Sequence, residues 1–292
     1  MANEIQKTQP KFSVVIQSDM YKKLINNTLG DPERSKRFIA SISSAVATNP
    51  NLQECEAGTI LSGALLGEAL NLSPSPQLGQ FYLVGYKDKN TGKTNAQFQL
   101  GYKGYLALAM RSGQYKDLDV IEIKQGEYKG RDKENGKPKF EFIENEEERA
   151  NLPTIGYLGY FELLNGFSKK IYISKEEMEK HANTYSKAFK LEDYKKLQAG
   201  QIPEKDMWKY SSFWYKNFDM MAFKTVLRQL ISRWGIMSIE MQDAYTKDMA
   251  VLHENGDYEY VDSPSENENI IGNYEQQEEK KDNKVHKLDE VE

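Results

Sequence analysis

Hydrophobic and polar residues alternate in two pairs of short segments, a pattern that predicts two β-hairpins. The first pair is 81–86 and 96–100, joined by a polar turn. The second pair is 154–164 and 167–173, and it flanks Asn165-Gly166. Asn-Gly favours a tight hairpin turn because both residues accept a positive φ.

Other segments have hydrophobic residues at helical spacing. Residues 19–48 read as two helices separated by Gly30-Asp31-Pro32, and 55–72 is an apolar helix whose small residues allow close packing. Ser174 followed by Glu177 forms a capping box that opens another helix. Shorter patterns predict a helix at 106–112, a strand at 118–123 and a last helix at 219–234. For the polar stretch 126–151, a small hairpin around Asn135-Gly136 and little order are the two alternatives.

These elements predict an α+β fold in which antiparallel β-hairpins pack with helices in a single core, behind a helical N-terminal region. We expect a flexible N-terminus at 1–18, a folded core at 19–250 and a disordered acidic tail at 251–292.

Composition narrows the class of protein. The chain has 292 residues, of which 39% are hydrophobic, so it can bury a substantial core. A single cysteine, Cys55, excludes an intrachain disulfide and a cysteine-rich zinc site. The chain has neither a signal-peptide pattern nor an apolar run of about 20 residues. We therefore expect a cytoplasmic protein with no membrane partner.

Charge is distributed unevenly along the chain. Residues 251–292 contain 13 acidic residues and 4 lysines, a net charge of −9, whereas the whole chain carries −5. The preceding 250 residues therefore carry +4. A mildly basic body suits a polyanionic partner if its cations are clustered.

Cations and aromatic residues are concentrated in the segment 209–234. It contains three lysines and two arginines against one acidic residue, together with seven aromatic side chains and a tryptophan, Trp208, directly before it. Single-strand binding proteins need cations for the phosphates and flat rings for unstacked bases. The composition of this segment suits single-stranded DNA binding, and we expect a protein without a catalytic centre of its own.

Helical geometry separates the side chains of this segment. In a helix over 219–234, the hydrophobic residues fall on one arc, and Lys224 and Arg228 project together along its border. This placement favours a basic groove wall. The alternative is an ordinary amphipathic helix whose cations only solvate the edge of an apolar stripe.

A second basic segment follows the first hairpin. Gly101-Tyr102-Lys103-Gly104 has the GxxG spacing that lets a backbone approach phosphates in some nucleic-acid modules. A tight strand-to-helix turn explains the same spacing and is favoured on the pattern alone. Lys103 and Arg111 place two cations near this turn.

Enzymatic signatures are sparse. Asp117, Asp119, Glu122 and Lys124 resemble the carboxylates and lysine of magnesium-dependent nucleases, although the Asp-to-Glu interval is short and a solvated strand edge explains them better. The three histidines have no metal-ligand spacing. We expect neither a cofactor nor an ATP site.

Several stretches together resemble the RecT family of phage single-strand annealing proteins, within the RecT and Red beta superfamily. The resemblance covers about residues 49–246, although 193–208 looks longer than in close relatives. The stretches that carry it are Asn49-Pro50 with Leu52 and Cys55, 78–84, Phe98-Gln99-Leu100 with 101–105, Arg111-Ser112-Gly113, Trp214, and 219–228 with its Lys-Thr-Val-Leu-Arg block.

The resemblance implies ATP-independent annealing of complementary strands, with single-stranded DNA and an annealed duplex intermediate as partners. It also implies a homo-oligomer, either a ring or a helical filament, and a tail that could recruit host single-strand-binding protein or a partner exonuclease. A DNA-binding adaptor without annealing activity is a further alternative. By this resemblance, the DNA-contacting residues are Gln99, Tyr102, Lys103, Arg111, Trp214, Lys216, Lys224 and Arg228.

Overall fold

The computed structural model describes residues 11–88 and 91–260. Within these ranges the predicted α+β fold with antiparallel strands and a helical N-terminal region is confirmed. The helices are α1 (Phe12–Val15), α2 (Asp19–Leu29), α3 (Pro32–Ala47), α4 (Pro50–Gln53), α5 (Ala57–Ala69), α6 (Tyr102–Arg111), α7 (Glu146–Ala150), α8 (Lys175–Tyr185), α9 (Leu191–Gln198), α10 (Phe213–Lys216), α11 (Phe218–Trp234) and α12 (Ile239–Lys247). A 3₁₀ helix covers Glu204–Lys209.

The strands form two sheets and a small ribbon. They are β1 (Phe81–Lys87), β2 (Thr94–Leu100), β3 (Tyr115–Lys124), β4 (Tyr128–Arg131), β5 (Pro138–Phe140), β6 (Thr154–Leu163), β7 (Ser168–Ser174), β8 (Ala250–Leu252) and β9 (Tyr258–Tyr260). The first sheet has the order β1-β2-β8-β9, the second β3-β6-β7, and β4 pairs with β5. Both predicted hairpins are therefore confirmed, as is the small hairpin around Asn135-Gly136.

Local signals place several helix starts. The side chain of Asp31 accepts hydrogen bonds from the first turn of α3, and Ser174 with Glu177 forms the predicted capping box of α8.

The small residues of α5 permit close packing on the first sheet, since a β-carbon on Gly67 would lie 2.3 Å from the Phe81 ring. On the second sheet, α11 buries Val226 and Leu230.

Two expected boundaries change. Residues 12–18 were expected to be flexible, but Phe12 and Ile16 are buried in the core. The tail was expected to begin at 251, but β8 and β9 extend the first sheet to Tyr260, because backbone pairing with β2 orders a polar segment that lacks its own periodicity. The expected flexibility of 1–10 and disorder of 261–292 concern residues outside the described ranges.

Candidate nucleic-acid interface

The structure divides the basic, aromatic segment 209–234 between α10 and α11. Trp214, predicted to contact DNA, is only 7% exposed. Its ring centroid lies 5.2 Å from that of Phe218 and 6.1 Å from that of Phe189. Nearby in α9, Tyr194 stacks on Phe218. Trp214 therefore does not lie on an open surface, because Phe189 and Phe218 pack against its ring.

Lys224 and Arg228 also lie elsewhere than expected. Each is 7% exposed, so the prediction that they form an open groove wall is wrong. Lys224 Nζ lies 3.0 Å from Asp248 Oδ1, and Arg228 Nη1 lies 3.1 Å from Asp248 Oδ2. The apolar arc is core, as predicted, but α6 packs on α11, and Tyr245 and Asp248 cover the basic border as well.

Asp248 organises this buried ion cluster. Its side chain also accepts hydrogen bonds from the Leu100 backbone N–H at 2.8 Å and from the Tyr105 hydroxyl at 3.0 Å. Burial and the Asp248 carboxylate raise the pKa of Tyr105, which stays protonated as a donor. The cluster therefore joins β2, α6 and α11 to the turn after α12.

The glycines of Gly101-Tyr102-Lys103-Gly104 serve packing within the protein. A β-carbon on Gly101 would lie 2.1 Å from the Gly79 carbonyl oxygen, and one on Gly104 would lie 2.0 Å from that of Gln80. The Gly101 N–H donates to Gln80 O at 2.8 Å. The GxxG spacing thus makes a tight strand-to-helix turn, and Lys103 is exposed on the first turn of α6.

Tyr102 is half-buried and contacts the second sheet. Its hydroxyl donates to Asp119 Oδ1 at 3.0 Å, and its ring lies 5.8 Å from the Phe223 ring. Burial and the Asp119 carboxylate raise the pKa of Tyr102. Tyr102 therefore connects α6 to β3, whereas the side chain of its neighbour Lys103 is exposed to solvent.

Arg111 is exposed at the other end of α6. Its guanidinium donates to the carbonyl oxygens of Leu70 at 2.6 Å and of Ala107 at 3.3 Å. These bonds fix the end of α6 against the end of α5 and leave the positive charge at the surface.

Two of the predicted residues, Gln99 and Lys103, lie close to Tyr82 of the first sheet. Gln99 lies directly opposite Tyr82 in the β1–β2 register, so both side chains share a face. The Tyr82 ring lies 5.6 Å from the Phe213 ring. Lys103 and the Tyr82 hydroxyl meet over Gly79, where a β-carbon would lie 3.6 Å and 3.2 Å from them.

Lys216 lies in the helix that carries Phe213. It follows Phe213 by three residues in α10, so both lie on the same side of that helical turn. We call Tyr82, Gln99, Lys103, Phe213 and Lys216 the aromatic row. The sequence indicated Gln99, Lys103 and Lys216 but missed Tyr82 and Phe213, because their pairing joins segments 131 residues apart.

The row combines free charge with accessible rings. Lys103 and Lys216 are exposed, and neither ammonium has an ion-pair partner within residues 11–88 and 91–260. Phe213 is 46% exposed. Burial raises the pKa of Tyr82, so its hydroxyl remains a neutral donor at pH 7. Such a surface can hold phosphates with its lysines and stack bases on its rings.

The alternative nuclease site is not supported. Asp119 and Glu122 are three residues apart in a regular part of β3, so their side chains lie on opposite faces. Asp119 accepts from Tyr102, and Glu122 forms an ion pair with Lys124. Asp117 is exposed at the strand surface. These carboxylates do not converge on one metal.

Metal ligands and the thiol of Cys55 are the other candidate reactive groups of the described chain. No cluster of three or more histidine, cysteine or acidic side chains there is arranged to hold a metal. Burial raises the pKa of Cys55 to about 12, which disfavours the thiolate. Among the same residues, no helix has the length and apolar character needed to cross a membrane.

Comparison with known proteins identifies similar chains. A model of the RecT family matches residues 36–265. The chain is 36% identical over 275 residues to the Uncharacterized protein YqaK of Bacillus subtilis strain 168, which covers 90% of this chain and 82% of that protein. It is 32% identical over 95 residues to Protein RecT of Escherichia coli strain K12, covering 32% of this chain and 35% of that protein.

Proposed function

Because this chain belongs to the RecT family, we propose that it binds single-stranded DNA and anneals complementary strands without ATP. Membership supports a role in phage-type recombination and annealing. DNA binding, oligomerisation on DNA and the absence of a catalytic centre are parts of the proposal. The place of action is proposed to be the bacterial cytoplasm.

The aromatic row is the observation that supports this function best. Its two rings lie 5.6 Å apart, Lys103 lies near the Tyr82 hydroxyl, and Lys216 shares a helical turn with Phe213; both lysines are exposed and make no ion pair in the described chain. Phosphates are neutralised by ammonium groups, while bases stack on rings without sequence preference. Lys103 and Lys216 are the proposed phosphate contacts, and Tyr82 and Phe213 are the proposed stacking surfaces.

Annealing follows from holding strands rather than from bond chemistry. Cations that neutralise two DNA backbones reduce their repulsion, and base edges that stay free can pair. Assembly of protomers into a ring or filament would multiply weak contacts by effective concentration. Host single-strand-binding protein or a partner exonuclease is the proposed partner of residues 261–292, outside the described structure.

The function is tested with labelled complementary oligonucleotides and pure protein, with and without magnesium and in the absence of ATP. We expect faster duplex formation with intact strands. Shortened strands would instead indicate a nuclease, and binding without faster pairing would indicate an adaptor. Either of these results contradicts the proposal.

The site is tested with Lys103→Gln, Lys216→Gln and Phe213→Ala. Each lysine variant should reduce the salt slope of DNA binding by about 0.7 for one lost phosphate contact. Phe213→Ala should weaken binding by about 1–3 kcal/mol with the slope unchanged.

Lys133→Gln is the matched control, because Lys133 is an exposed lysine in the β4–β5 turn without an ion pair in the described structure. If Lys133→Gln reduces the slope as much as Lys103→Gln and Lys216→Gln, general charge rather than the aromatic row accounts for binding.

A further inference from the structure

A groove of about 710 Å³ lies between α3, the end of α5 and the loop that follows it. Its walls carry Arg34, Arg37 and Ser41 from α3, and Asn71, Ser73 and Gln80 from the α5–β1 connection. We call it the α3–α5 groove. Guanidinium, hydroxyl and amide donors together form a surface suited to anionic oxygens.

The groove carries more positive than negative charge. Arg37 is exposed and makes no ion pair with another residue of 11–88 or 91–260. Arg34 is paired with Glu68 at 2.7 Å, which holds that guanidinium against α5. Arg111, bonded to Leu70 O, adds a third guanidinium beside the groove at the end of α5.

Helical spacing aligns the donors of α3. Arg34, Arg37 and Ser41 are three and then four residues apart, so they lie on one face of the helix. Lys36 lies between them in sequence but is turned about 160° away from Arg34, and it pairs with Glu33 at 2.7 Å. The free cation of this face is Arg37.

The groove leads towards the aromatic row. Pro74 lines it and also lines an adjacent cleft of about 220 Å³, where Tyr82 forms part of the wall. The Gln80 side chain accepts from the Ser73 N–H at 2.7 Å, which holds the intervening loop closed on itself. The two clefts therefore share Pro74, which places the α3–α5 groove next to the cleft of Tyr82.

We propose that the α3–α5 groove binds the phosphodiester backbone of the same single DNA strand that occupies the aromatic row. Arg37 is the principal phosphate contact, and Ser41 and Asn71 donate hydrogen bonds. This inference rests on the proposed function. It extends the footprint of each protomer from the first sheet onto the N-terminal helices.

The experiment measures the affinity of the full chain for a single-stranded oligonucleotide of fixed length at several salt concentrations. Arg37→Gln should reduce the salt slope by about 0.7, because one phosphate contact is lost. Arg37→Lys should keep most of the slope, since its charge remains. Ser41→Lys adds a cation on the same face and should increase the slope by a similar amount.

Lys36→Gln is the matched control, because it removes the same charge from the other side of α3. We expect its slope to equal that of the wild type. Thermal unfolding of each variant confirms that the fold is intact, and the gain expected from Ser41→Lys does not depend on the Arg37 variants.

Two results would overturn the inference. In the first, Arg37→Gln and Ser41→Lys bind like the wild type while Lys103→Gln is impaired, so the groove is excluded and the proposed function stands. In the second, Lys36→Gln changes the slope as much as Arg37→Gln, which indicates a general effect of net charge. Failure of the wild type to bind single-stranded DNA would instead refute the proposed function.

Discussion

Replacing Asp248 by asparagine tests the buried ion cluster directly. The carboxylate accepts hydrogen bonds from Lys224, Arg228, the Tyr105 hydroxyl and the Leu100 backbone N–H. Asparagine has nearly the same shape but no charge, and its amide NH₂ turns a donor towards groups that are themselves donors. Two buried cations would then lose the carboxylate that neutralises them.

The expected loss of stability is large. Removing one partner of a buried ion pair costs about 3–5 kcal/mol, because the remaining charge is buried without compensation. For a folded region of this size, that loss corresponds to a decrease in Tm of about 6–20 °C. Since Lys224 and Arg228 are buried, we expect the salt slope of DNA binding to remain unchanged in the folded variant.

Urea unfolding of Asp248→Asn measures this loss, and Asp243→Asn is the matched control. Asp243 lies five residues earlier in α12 and forms a surface ion pair with Lys247 at 2.7 Å. Surface pairs contribute about 0–1 kcal/mol, so the control should change little. A loss below about 1 kcal/mol for Asp248→Asn would show that the cluster does not stabilise the fold.

A double-mutant cycle identifies the cause of the loss. If the uncompensated Lys224 charge is responsible, adding Lys224→Met to Asp248→Asn should recover part of the stability. The coupling energy should be about 0.5–3 kcal/mol. Simple additivity of the two changes would contradict the ion-pair explanation.

Three further predictions concern groups with a structural role. Burial, together with the Arg228 guanidinium, lowers the pKa of His181 from 6.5 to about 4. As pH falls, the unfolded chain therefore binds a proton at this histidine before the folded chain does. The free energy of unfolding should decrease by up to about 3 kcal/mol between pH 6.5 and pH 4. His181→Gln should reduce that dependence in urea titrations at each pH, and equal curves for His181→Gln and the wild type would contradict this reasoning. Gly104→Ala should destabilise the fold by several kcal/mol in thermal unfolding, because its β-carbon would lie 2.0 Å from a backbone oxygen. A variant with the Tm of the wild type would show that the turn accommodates the β-carbon without loss of stability. Trp214→Ala should lower the free energy of unfolding by about 3–5 kcal/mol in urea and leave the salt slope of DNA binding unchanged. A changed slope would indicate that Trp214 takes part in DNA binding.

The sequence was sufficient where local chemistry determines structure. Asn165-Gly166 specifies its hairpin through turn conformation, and Ser174 with Glu177 specifies a helix start through hydrogen bonds within one turn. These interactions span a few residues, so a pattern contains all the necessary information. The strands of both hairpins were predicted for the same reason.

Tertiary contacts determined what the sequence could not show. A helical projection places Lys224 at the edge of the apolar arc, but it cannot show that Asp248, 24 residues later, returns to bury it. Trp214 belongs to an aromatic-rich segment, yet Phe189 covers its ring. The contact between Tyr82 and Phe213 likewise exists only in the folded chain.

The sheet order β1-β2-β8-β9 has a consequence for synthesis of the chain. The Leu100 N–H finds its acceptor on Asp248, 148 residues later, and Gln97 donates to Met249 O, 152 residues later. At about 5–20 residues per second, a ribosome needs roughly 7–30 s to supply these partners. During that interval the nascent β1–β2 hairpin has an open edge along β2, where an N-terminal fragment would be prone to mispairing.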